Sequence, residues 1–161
     1  MEKEIRYDST KDALEHKANI EKVMSVLIDD LTARKHNHDN SKLEFTEKSG
    51  YDKFIPLLKE TPYGSPEYNN VREDMMNSCL KHHYEVNRHH PEHFENGIED
   101  FTIVDLLEYF SDTYAASLKS DTPYAKGVDI NAKKHNLPDV LVKIFVNTVN
   151  EYFGDLKIEN N

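Results

Sequence analysis

A chain of 161 residues with 30 acidic and 20 basic side chains, net charge −10, is long enough to bury a core without disulfide or metal staples. Any metal it takes therefore serves chemistry, and its charge argues against sequence-independent nucleic-acid binding while leaving room for a small anion held by local cations or a metal. The single cysteine, Cys79, excludes an intramolecular disulfide, the polar opening MEKEIRYDST carries no apolar leader, and no apolar run approaches the roughly 20 residues of a membrane span, which together fit a cytoplasmic protein.

Ser9 or Thr10 caps a first helix running to about Arg34, with Ala13, Ile20, Val23, Leu27 and Leu31 at helical spacing and His16 on the same stripe. A polar break, KHNHDNSK, leads to a weaker helical segment holding Leu43, Phe45, Tyr51, Phe54, Ile55, Leu57 and Leu58, which Gly50 and Pro56 are expected to interrupt. TPYGSPEY reads as a loop. A helix from Pro66 or Glu67 then carries Val71, Met75, Met76, Cys79 and Leu80 into KHHYE, so that its last turn presents His82 and His83 before NRHHPEHFENG. Thr102 caps the next helix, whose main apolar stripe is Ile103, Leu106, Leu107, Phe110, Tyr114 and Leu118, with Asp105, Glu108 and Asp112 opposite. Pro138 opens a last helix bearing Val140, Leu141, Ile144, Phe145, Val149 and Tyr152, which Gly154 stops. Strand-like alternation is absent, so the expected fold is an all-α bundle, one domain over 1–161.

Six of the nine histidines fall in two tight groups, His36 with His38, and His82, His83, His89 and His90. Metal sites made of imidazole and carboxylate take one pair of ligands close in sequence and the rest from separate elements. His38-Asp39 is such a pair. Each residue also has a plainer reading: His16 as a hydrogen-bonded core histidine, Asp39 as part of a helix-capping loop, His82 and His83 as packing at a helix C-terminus. His36 reads as solvated and Lys42 as a surface lysine. Periodicity alone turns Asp112 toward solvent, but Ala115 and Ala116 beyond it suggest a close-packed or cleft-lining face, with Asp105 as the substitute ligand.

From about residue 10 to 127 the motif order resembles that of the HD-domain superfamily, and within it the HD-GYP phosphodiesterases. The matching segments are HKANIEKV from His16, HDNSK from His38 to Lys42, HHYE from His82 to Glu85, and SDTYAASLKSDTPYAKG with Asp112, Ala115, Ala116, Pro123 and Tyr124. The glycine-tyrosine-proline signature is absent, RHHPEHFENG standing in its place, and Ser65-Pro66 occupies the position of a histidine-proline pair. The whole chain also resembles an uncharacterised group of small bacterial and phage proteins with similar HDNSK and NRHHPEH segments.

The resemblance implies an HD-type bundle in which His16, His38, Asp39 and Asp112 hold a divalent ion (Mn, Fe, Zn, Co or Mg). It implies further metal or acid-base roles for His82, His83 and Glu85, and a phosphate-facing role for Lys42, Arg88, His89 and His90. The activity implied is metal-dependent hydrolysis of a nucleotide or other small phosphate ester, as a phosphomonoesterase or phosphodiesterase. An HD-like module that sequesters a nucleotide without hydrolysis is the alternative, and a pH-responsive helical partner-binding protein a third reading. The expected partner is a small phosphorylated ligand, with no membrane and no nucleic acid, and homo-oligomerisation left open.

Overall fold

The computed structural model describes residues 7–62, 65–118 and 124–154, and every regular element in them is helical. The opening MEKEIR, Tyr63 and Gly64 of the TPYGSPEY loop, and Pro123 lie outside the described residues. The chain divides into two compact units, Met1–His36 and Asn37–Asn161.

The first unit is almost wholly one helix, α1 (Thr10–Asn37). At its start the Ser9 carbonyl accepts from the Ala13 N–H at 3.0 Å, and an Asp8 oxygen accepts from the Thr10 N–H at 3.0 Å and the Thr10 hydroxyl at 2.6 Å. Arg34, Lys35 and His36 fill the last turn, where positive charge suits the helix dipole. No residue of α1 is buried; Leu14, Val23, Met24 and Ile28 are each more than half exposed.

In the second unit a 3-10 turn, Asn40–Leu43, precedes α2 (Phe45–Glu60). Gly50 and Pro56 do not interrupt α2, which runs through both. Gly50 is needed for packing: a Cβ there would lie 2.6 Å from Cys79 Sγ and 2.7 Å from Cys79 Cβ, so the helices meet where a side chain is missing. Ser65 caps α3 (Pro66–Met75) by accepting from the Tyr68 N–H, with Pro66 preset for the first turn. The helical path then widens into a π turn, Met76–Leu80, in which the Lys81 N–H reaches back to the Met76 carbonyl, and resumes as α4 (Lys81–Val86). Phe54, Met75, Cys79 and Leu80 form the apolar cluster between α2 and this continuous path.

Two 3-10 turns, Pro91–His93 and Gly97–Asp100, follow α4. Thr102 then starts α5 (Ile103–Ser117) with a reciprocal capping box: its hydroxyl oxygen accepts from the Asp105 N–H and the Asp105 carboxylate accepts from the Thr102 N–H. Helix α6 (Tyr124–His135), not anticipated from the sequence because Gly127 and the β-branched Val128 and Ile130 weaken its local signal, is held by the burial of Tyr124 and Val128. Asn136, with φ 54°, ends it and allows the turn through Pro138 into α7 (Asp139–Tyr152). Tyr109 and Phe110 of α5, Tyr124 and Val128 of α6, Leu137 and Phe145 make the main core. Among the described residues no helix is long and apolar enough to cross a membrane.

Candidate metal centre

Asp39 sits in the left-handed region (φ 58°, ψ 13°), which aspartate tolerates better than most residues, and makes no side-chain cap to the turn it precedes. Its carboxylate is thereby freed from the capping role and stands inside the second unit among residues from three further segments: α4, the 88–90 stretch and α5.

Four imidazoles point an Nε2 toward or beside this carboxylate. His83 Nε2 lies 3.3 Å and His89 Nε2 3.5 Å from Asp39 Oδ1, and His38 Nε2 lies 3.6 Å from Asp39 Oδ2 and 3.5 Å from Asp112 Oδ1. His90 Nε2 is 2.9 Å from His83 Nε2. His83 and His89 are almost wholly buried, at 1% and 2% exposure.

Two carboxylates set these orientations from behind. Fully buried Glu47 accepts from His82 Nδ1 at 2.8 Å through one oxygen and from His83 Nδ1 at 2.9 Å through the other. Glu108 Oε1 lies 3.0 Å from His38 Nδ1 and 3.4 Å from His89 Nδ1. A ring whose Nδ1–H is directed to a carboxylate presents Nε2 as its ligand atom. Asn87 braces the same region by donating to Ser41 Oγ and to the His83 carbonyl, both at 2.8 Å.

The electrostatics follow from this geometry. Asp112 first, and Glu108 next, push His38 up to about 10, so in the metal-free chain its ring is cationic at neutral pH. Burial alone would raise Asp39, but His89 and then Lys42, whose Nζ is 2.5 Å from Asp39 Oδ2, hold it well below the usual carboxylate range. Burial, with His89 and His83 alongside, drives His90 down to about 3 and keeps it neutral. Burial, then Lys42, also lowers His83.

The residues fit a cation. Asp39 Oδ1 and His89 Nε2 are buried with no hydrogen-bond partner, an arrangement that costs free energy unless something else satisfies them. Ligand atoms about 2.0–2.2 Å from one ion, at tetrahedral to octahedral angles, stand about 2.9–3.6 Å apart. The separations above fall in that interval. Two groups could each hold an ion, Asp39 with His83, His89 and His90, and His38 with Asp39 and Asp112, and Asp39 belongs to both through different oxygens. His38, His89 and Glu108 form a third such group, but through the Nδ1 atoms that already face Glu108, which fits an orienting role better than a ligating one.

Residues 6–151 match a family of unknown function, DUF5662. The chain belongs to that family. No curated protein and no solved structure matches it.

Of the residues expected to serve in this DUF5662 protein, His38, Asp39, His83, His89, His90 and Asp112 come together. His16 lies on α1, exposed, and is in none of the three groups among the described residues. His36 is exposed as expected. His82 bonds Glu47 from the rim, and Glu85 is exposed, 4.0 Å from Lys81. Arg88 is committed to Asp105 through two bonds of 3.0 and 2.9 Å and lies over the Phe94 ring, so the substitute ligand Asp105 is itself occupied, in the cap of α5 and with Arg88. Ala115 and Ala116 are exposed rather than close-packed. His89, expected to face phosphate, is inside the cluster. Glu47 and Glu108 were not anticipated as functional; Glu108 shares the polar face of α5 with Asp112, and Glu47 carries no local signal at all.

Proposed function

We propose that this cluster is a divalent-metal centre of the HD type and that the protein is a cytosolic hydrolase of a nucleotide or other small phosphate ester. The observation that carries the reading is the convergence of buried histidine Nε2 atoms on an Asp39 oxygen that has no hydrogen-bond partner. Asp39 is the shared ligand of two ions in this reading, with His83, His89 and His90 on one side and His38 and Asp112 on the other. A divalent ion bound there would supply a Lewis acid and a water of lowered pKa.

The chain's own residues do the rest. Glu47 and Glu108 keep the Nδ1 protons directed away from the centre, so that Nε2 faces it. Lys42, 2.5 Å from Asp39, is an ammonium beside the cluster for stabilising charge on a phosphoryl oxygen. Buried His89 and His83 exclude water from the inner wall and strengthen those interactions.

The test is metal analysis after purification without chelator, followed by assay on phosphomonoesters and phosphodiesters with manganese. Metal near two per chain with turnover supports the proposal; metal with a retained phosphorylated ligand and no turnover favours the sequestering module; absence of metal after reconstitution overturns both. Lys42→Ala separates binding from catalysis. Metal content should stay near wild type while turnover falls by about 10- to 1,000-fold, the scale of losing a transition-state donor.

A further inference from the structure

Beside the cluster, between α2 and the α3–α4 path, opens a pocket of about 240 Å³ whose wall includes Lys42, Tyr51, Leu58, Arg72, Tyr84 and His90. His83 and His90 belong both to this wall and to the candidate metal groups, so the pocket adjoins the centre.

The lining has the character of a ring-binding site. Tyr84 lies 4.8 Å from the His90 ring and Tyr51 stands edge-on to His83 at 5.9 Å, so aromatic surfaces flank the two histidines shared with the cluster. Leu58, Met75 and Leu80 contribute apolar surface. Two polar groups there lack protein partners. The Tyr51 hydroxyl is buried with no hydrogen bond. The Arg72 guanidinium, though part-buried, makes no hydrogen bond or ion pair among the described residues. The guanidinium is a donor on the pocket wall and calls for an acceptor from outside the chain; the Tyr51 hydroxyl, with essentially no accessible surface, is closed to one.

Size narrows the occupant. A cavity of about 150 Å³ holds a single benzene ring, and sites for drug-sized ligands run from about 300 Å³ upward. At about 240 Å³ the pocket has room for one ring with its substituents. We propose that this pocket receives the organic part of the phosphate ester, a single planar ring bearing acceptor groups, of nucleobase or carboxyaryl kind, held by the rings of Tyr84 and Tyr51 with its acceptors on Arg72. This rests on the phosphohydrolase reading for the position of the phosphate.

The experiment uses the full chain loaded with manganese and measures binding calorimetrically for four probes: uridine monophosphate, 4-carboxyphenyl phosphate, glycerol phosphate and inorganic phosphate. At least one ring ester should bind tenfold or more tighter than glycerol phosphate, and which of the two does so distinguishes a nucleobase from an aryl ring. Tyr84→Ala should weaken that ester by about 10- to 100-fold, the scale of losing one stacking partner, and leave inorganic phosphate unchanged. Arg72→Met, which keeps much of the side-chain volume, should weaken it with metal content intact. Equal binding of ring esters and glycerol phosphate overturns the pocket assignment while leaving the metal-phosphate reading standing. If no phosphorylated probe binds, uridine and benzoate decide: Arg72-dependent binding of either keeps the pocket and removes the phosphohydrolase, and binding of neither removes both.

Discussion

On one face of α5, Tyr109 and Phe110 pack with Tyr124, Val128, Leu137 and Phe145; on another, Glu108 and Asp112 meet His38 and His89. The hydrocarbon of the apolar side satisfies itself, because its burial needs no direction and every neighbour contributes, although the Tyr109 hydroxyl there is also left without a hydrogen-bond partner. The polar side is closed only along specific directions, and it leaves Asp39 Oδ1 and His89 Nε2 unanswered. One side is therefore built for stability, and the other stores an unmet demand that a cation would satisfy. The two should fail differently when perturbed.

The largest effect on folding belongs to the apolar side. Phe145 is 3% exposed at the centre of the main core, and Phe145→Ala should cost about 3–5 kcal/mol in a urea titration. The fraction still folded should bind as much metal as wild type. If metal binding instead falls in that folded fraction, the two faces of α5 are not independent.

On the polar side, Asp39→Asn should abolish metal binding and leave far-UV helicity intact. Wild type should gain about 2.7 kcal/mol of stability when free metal is one hundredfold above its dissociation constant, and the variant should gain nothing. A variant that keeps stoichiometric metal would place the site elsewhere. Glu47→Gln is a subtler probe, since it preserves shape while removing the charge behind His83. Affinity for metal should drop about 10- to 100-fold with helicity unchanged; an unaltered affinity would reduce Glu47 to packing.

The smallest effect is a pH dependence of the metal-free protein. Asp112 and Glu108 raise His38 to about 10, against about 6.5 for an unfolded chain. A group raised in the folded state contributes stability that is complete below the unfolded value and disappears as pH climbs through the folded one. The stability difference between wild type and Glu108→Gln, measured with chelator present, should therefore shrink between pH 6.5 and 10. The effect is modest because His38 and Asp112 keep 29% and 33% of their side-chain surface in water. A difference constant over that range would detach Glu108 from His38.

By itself the sequence determined the all-α class and several helix limits, because those signals are local: Ser65-Pro66 and Thr102 at starts, Pro138 before α7, apolar spacing from Val71 to Leu80. It also singled out His38-Asp39, since an imidazole next to a carboxylate is visible in one dimension, whereas His83 and Asp112 come from the order of motifs along the chain. Local signals misled where packing overrode them. Gly50 and Pro56 look like breaks, yet α2 continues, Gly50 because Cys79 fills the space its side chain would take. Only the tertiary structure decided that Asp112 and Glu108 turn inward, that Arg88 is spent on Asp105, and that Glu47 stands behind His83 from 36 residues away. Periodicity records which residues share a face of a helix, but what that face meets is set by long-range contacts between segments.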